Sequence, residues 1–136
     1  MSDSEERSTE KPMRAAVVGV GHLGRIHARI LAAMPGVKLV GVADPIDANR
    51  REAAAAHQTR SFADHRELIG QIDAAVIATP TRFHAQVARE MLAAGIHLLV
   101  EKPLAVSSVE AAEMVEAARR RGLVLQVGHV ERFNPA

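Results

Sequence analysis

Two hydrophobic periods alternate along this chain, and that alternation restricts its fold more than any other feature. RAAVVGV (14–20), KLVGVAD (38–44), DAAVIATP (73–80), IHLLVEKP (96–103) and LVLQVGHV (123–130) are runs with little polar interruption, and a shorter candidate strand lies at 60–62. Apolar runs without polar alternation suit strands covered on both faces. Between them the spacing becomes helical. In HLGRIHARILAAM (22–34), Leu23, Ile26, Ile30 and Leu31 share a face, and Pro35-Gly36 ends the pattern. Residues 47–57 read as an alanine-rich helix, 64–69 as a short one, and 83–94 as a helix stopped by Gly95. Ser107 caps a helix reaching Arg121, with Glu110 at the capping-box position. Parallel strands need such crossovers. The expected fold is therefore α/β: a Rossmann-type, doubly wound parallel sheet of about six strands, with helices on both faces.

The 136 residues suffice for one domain with a real core but not for two ordinary ones. A hydrophobic fraction of 48% excludes a disordered chain. Lys and Arg number 17 against 16 Asp and Glu, so net charge draws the chain to neither nucleic acid nor a membrane surface. Without cysteine there is no disulfide framework and no thiolate zinc site. The polar, acidic start is unlike a signal peptide; residues 1–12 are expected to be a disordered tail ahead of a domain at 13–130. No apolar run approaches the ~20 residues of a membrane span. The expected location is the cytoplasm.

The first strand-to-helix turn is Gly19-Val20-Gly21-His22-Leu23-Gly24. Gly19 permits a tight turn, Gly21 lets a phosphate approach the backbone, and Gly24 lets helix and strand pack closely. The helix N-terminus then faces an anion with unpaired N–H groups and the positive end of its dipole. Asp44 follows 20 residues after Gly24, at the end of the second strand. A carboxylate there accepts bonds from the adenosine ribose and repels a 2′-phosphate. It can equally cap the turn before Pro45. The reading is NAD, with NADP kept open by Arg50 and Arg51.

Ligands of such sheets sit beyond the carboxyl ends of the strands. Thr79-Pro80 and Glu101-Lys102-Pro103 both lie there. Lys102 at that place can hydrogen-bond a hydroxyl becoming a carbonyl or take part in proton transfer. Glu101 is expected to hold the lysine or bond a cofactor ribose. The plainer alternative is a surface ion pair.

GVGHLGRIHA, ATPTRFHAQVAREMLAAGIHLLVEKPLA and VGHVERFNPA together resemble the amino-terminal domain of the glucose-fructose oxidoreductase, inositol dehydrogenase and rhizopine-catabolism (Gfo/Idh/MocA) family, over about residues 13–136. The ending is similar to the branch acting on UDP-N-acetylglucosamine at its 3-position. The resemblance implies an NAD-dependent sugar dehydrogenase. It implies pyrophosphate binding by Gly19, Val20, Gly21, His22, Leu23 and Gly24, and ribose binding by Asp44. Thr79, Pro80 and His84 are implied to line the dinucleotide path, and Glu101 to contact the nicotinamide side. Lys102 is implied as the catalytic lysine beside the substrate, joined to Pro103 by a cis peptide. Gln126, His129 and Arg132 are implied near the sugar. Residues 131–136 are expected to open a second domain that supplies the substrate wall, an aspartate and a histidine for proton transfer, and often an oligomer interface. The 136 residues alone are then expected to show no turnover. A stand-alone NAD-binding module and, more distantly, a methyltransferase are the competing readings.

The histidines suggest no metal site. His22 and His27 are five apart and do not share a helix face as an i, i+4 pair would. His27 matches a common family position and reads as structural. His97 reads as a core or strand-end residue, and His57 and His65 as solvated.

Overall fold

The computed structural model describes residues 11–128. Six strands form one sheet: β1 (Met13–Val18), β2 (Val37–Ala43), β3 (Arg60–Phe62), β4 (Ala74–Ile77), β5 (His97–Glu101) and β6 (Leu125–Gly128). Four helices connect them: α1 (His22–Ala33), α2 (Asp47–Ala56), α3 (His84–Ala93) and α4 (Ser108–Arg120). Every neighbouring pair is parallel, and the order is β3-β2-β1-β4-β5-β6. The chain winds outward from β1 to β3, then crosses back to β4 on the other side of β1. The crevice beyond the carboxyl ends of β1 and β4 is the place where this topology opens a ligand site.

The apolar runs behave as their composition demands. Ala15, Ala16, Val17 and Val18 of β1 are all buried. Successive side chains point to opposite faces. Val17 packs with Val42, Val76, Ala28 of α1, and Ala53 and Ala54 of α2. Ala16 and Val18 join the other core, with Ile77, Val87, Met91 and Leu92 of α3, and Met114 of α4. Burying each valine or leucine stabilises by about 1.5–3 kcal/mol relative to exposure. The two cores fix the sheet from both sides, so its strand tips are well anchored.

The strands end earlier than the apolar runs. β1 stops at Val18 because Gly19 turns to φ +90°. β4 stops at Ile77 and β5 at Glu101, which leaves Thr79-Pro80 and Lys102-Pro103 in loops. A 3-10 turn, Thr81–Phe83, precedes α3, and another, His65–Leu68, replaces the short helix expected there. Ser107 caps α4 by accepting the Glu110 N–H. The reciprocal capping box forms at Asp64 and Glu67.

At the amino-terminal end of the two central strands, β1 and β4, Asp73 accepts the backbone N–H of Arg14 at 2.9 Å and its guanidinium at 2.8 Å. These bonds hold the Asp73 carboxyl down at about 2. Among the described residues no helix is long and apolar enough to cross a membrane. The expectations for the tail at residues 1–10, for His129 and Arg132, and for the opening of a second domain at 131–136 fall outside the described residues.

Candidate functional site

The three glycines of the first turn differ in their surroundings. A Cβ on Gly19 would lie 2.6 Å from the Thr79 nitrogen, and one on Gly24 would lie 1.8 Å from the Gly19 oxygen. A Cβ on Gly21 would meet no protein atom within 4 Å. Gly19 and Gly24 therefore shape the turn, while Gly21 leaves space open in front of it. Helix α1 starts at that space with no side-chain cap and no acid in its first turn. Its N-terminal N–H groups and dipole thus favour an anion there. A phosphate fits this cradle. His22 is exposed, Leu23 half-buried and Gly24 buried.

Val20 is bonded within the protein itself. Its side chain is fully buried, its N–H donates to Asp44 Oδ2 at 2.9 Å, and its carbonyl accepts from Arg25 Nε at 3.1 Å. Both backbone groups are already used, so Val20 shapes the turn and offers no backbone donor to a cofactor.

Asp44 is 7% exposed and follows β2 directly. Besides the Val20 N–H, it accepts the Ile46 N–H at 2.8 Å on Oδ1. The capping bond is present, and the same carboxylate braces the glycine turn. A carboxylate offers roughly four acceptor positions. These two bonds leave others for ribose hydroxyls. Nearby, Arg50 Nη1 donates to the Asp44 and Pro45 carbonyls, both at 3.2 Å.

Beyond β4, Thr79 is half-buried and Pro80 exposed. His84, expected to line the dinucleotide path, has both ring nitrogens against backbone carbonyls. It is 1% exposed, and its ring lies between the Thr79 carbonyl, 2.8 Å from Nε2, and the Pro103 carbonyl, 3.0 Å from Nδ1. It ties the loop after β4 to the loop after β5, because the start of α3 lies beneath both.

Glu101 differs from expectation. It is 3% exposed, and its carboxylate pairs with His27 Nε2 of α1 rather than with Lys102. A Cβ on Gly128 would come within 3.3 Å of Glu101 Oε2, so β6 closes the other side. The buried Glu101 is thus enclosed by protein and joins the cofactor helix to the tip of β5. Lys102, one residue on, is exposed, and its N–H donates to the Gly128 carbonyl at 3.3 Å. The Lys102–Pro103 peptide is cis. Gln126 is exposed on β6.

Of the remaining histidines, His65 is not solvated: it lies against Glu90 at 2.7 Å with 14% of its side chain exposed. His57 is half-buried at the end of α2. His97 opens β5, and its Nδ1 accepts the Val124 N–H at 3.1 Å. Among the described residues no group of three or more His, Asp or Glu could hold a metal ion.

A parallel sheet in this order, a glycine cradle at its switch point and an acid ending β2 define a dinucleotide-binding Rossmann domain. The chain belongs to the Gfo/Idh/MocA oxidoreductase family: residues 13–129 match the family model described as an oxidoreductase family with an NAD-binding Rossmann fold. It is 42% identical over 124 residues to UDP-N-acetylglucosamine 3-dehydrogenase of Acidithiobacillus ferrooxidans, a match covering 91% of this chain and 39% of that protein. It is 35% identical to scyllo-inositol 2-dehydrogenase (NAD(+)) of Bacillus subtilis, covering 93% and 38%. The solved structure of the Acidithiobacillus enzyme aligns with a TM-score of 0.85 and 41% identity, over 93% of this chain and 42% of that one. GenD2 from gentamicin A biosynthesis, solved with NAD, aligns at 0.84 and 35% identity, over 88% and 35%. The chain thus spans about two-fifths of the length of the curated relatives it matches. Family membership makes this an NAD-binding domain and removes the methyltransferase alternative.

Proposed function

We propose that this chain is the cofactor-binding part of a dehydrogenase that moves a hydride between nicotinamide and a hydroxyl-bearing carbon of a sugar or nucleotide sugar. The observation that carries the reading is Lys102, exposed at the tip of a strand whose preceding residue, Glu101, is buried and paired with the cofactor helix. An exposed ion pair has no need of that support.

The bound nicotinamide supplies the hydride acceptor or donor. The chain's own residues do the rest. The N–H groups of His22, Leu23 and Gly24 bind pyrophosphate in front of Gly21, and Asp44 takes the adenosine ribose. Thr79 and Pro80 line the path between β1 and β4. Lys102 hydrogen-bonds the oxygen of the reacting carbon and takes part in moving its proton, which is general acid/base work. Glu101 and His84 hold the two loops in place. Gln126, His129 and Arg132 serve the sugar side. The named activity of the Acidithiobacillus relative supports a nucleotide sugar, and that of the Bacillus relative an inositol. The near-balanced charge supports a protein without nucleic acid or membrane partners, and a cytoplasmic location is proposed with it. Homo-oligomerisation is proposed through the further domain of a full-length protein.

The test is absorbance of NADH at saturating NAD, using protein of full family length against UDP-N-acetylglucosamine and inositols. NADH formation with at least one supports the reading. Tight NADH binding without turnover on either class supports a binding module instead.

A further inference from the structure

Arg50 lies against Asp44, where a 2′-phosphate would need a cation, and Arg51 follows it on α2, yet one carboxylate restrains both. Asp47 Oδ1 takes Arg50 Nη2 at 2.7 Å and Arg51 Nε at 2.8 Å. Arg50 is bound a second time by the Asp44 and Pro45 carbonyls, and only 19% of its side chain is exposed. Arg51 is 75% exposed and is anchored by Asp47. Asp47 opens α2, where the helix dipole already favours an anion. The other acid on this helix near the cradle, Glu52, pairs with Arg25 instead, at 3.1 Å.

We propose that Asp47 determines dinucleotide choice: by holding Arg50 and Arg51 it withholds both guanidiniums from a 2′-phosphate and keeps the site selective for NAD. This rests on Asp44 marking the ribose position. Free guanidiniums are strong phosphate ligands, because their planar forks match phosphate oxygens and carry charge. With Asp47 present, two acids offset two arginines around the ribose. Without it, one positive charge is in excess beside a helix N-terminus, and the longer reach of Arg51 is released. Asp44 still repels phosphate, so the change is a narrowing of preference.

Calorimetric titration of the 136-residue chain with NADH and NADPH tests this. Asp47→Ala is expected to tighten NADPH binding about tenfold, the scale of one partly exposed charge-assisted bond, and to leave NADH within about threefold. Asp47→Asn, which removes charge but keeps shape, is the second variant if circular dichroism shows that Ala disturbs α2. Adding Arg51→Ala should cancel the gain. An unchanged NADPH to NADH ratio in the folded variant overturns the proposal while dinucleotide binding stands. A parent chain that binds NADPH as tightly as NADH overturns both the proposal and the ribose role of Asp44.

Discussion

Replacing Gly21 with valine separates two duties that glycines perform in the same turn. Gly21 has φ −74°, outside the left-handed region, and open space where a side chain would go. The folded chain therefore loses only what a poorer N-cap costs, about 1 kcal/mol. A bound pyrophosphate loses far more. Pushing it from the helix N-terminus removes one or two charge-assisted bonds of about 1.5–3 kcal/mol each, so NADH affinity should fall roughly tenfold or more. Gly24→Ala is the contrast: its Cβ would sit 1.8 Å from the Gly19 oxygen, so α1 must move off the strand. That displacement should destabilise the fold by up to about 3 kcal/mol. Thermal melts followed by circular dichroism and calorimetry with NADH read the two effects. Parent-like NADH affinity in Gly21→Val, or a melt as depressed as that of Gly24→Ala, would refute the division of roles.

His27→Ala should cost about 3 kcal/mol in urea unfolding, because it leaves the buried Glu101 carboxylate without its partner. Adding Glu101→Gln should recover a large part of that loss; a fully additive double variant would show that the two do not act as a pair. Asp73 makes acid stability sensitive to one contact. Its folded value of about 2 lies below the ordinary 3.8, so the stability it contributes is present above about pH 4 and is lost as pH falls toward 2. Asp73→Asn should therefore be less stable than the parent at pH 6 and converge with it near pH 2; a constant gap across that range would contradict the sign.

Much of the fold was legible because the inner parts of β1, β2 and β4 are buried on both faces, and continuous apolar runs report that burial directly. Strand ends were less legible, since backbone dihedrals such as that of Gly19 end β1 inside its apolar run. The tight packing expected at Gly19 and Gly24, the open space expected at Gly21 and the cis Lys102–Pro103 bond are all present. The contacts of Glu101 and His84 were not legible. Glu101 meets His27 across 74 residues, only because β5 lies next to β4, and α1 follows the neighbouring β1. His84 has a local pattern that suits a ligand equally well, and only the packing of α3 beneath two loops directs its ring to carbonyls. The bond from the Val20 N–H to Asp44 was not legible either, because an apolar residue inside a binding motif carries no sign of it.

Steady-state kinetics of Lys102→Met in protein of full family length bear most directly on the proposed reaction. Methionine keeps the aliphatic stem and the backbone N–H that bonds the Gly128 carbonyl, while removing the ammonium. The proposed role predicts that kcat falls roughly 100-fold or more, the scale of a lost general acid/base, with NADH affinity within about threefold of the parent. A kcat near that of the parent would show that Lys102 is not catalytic.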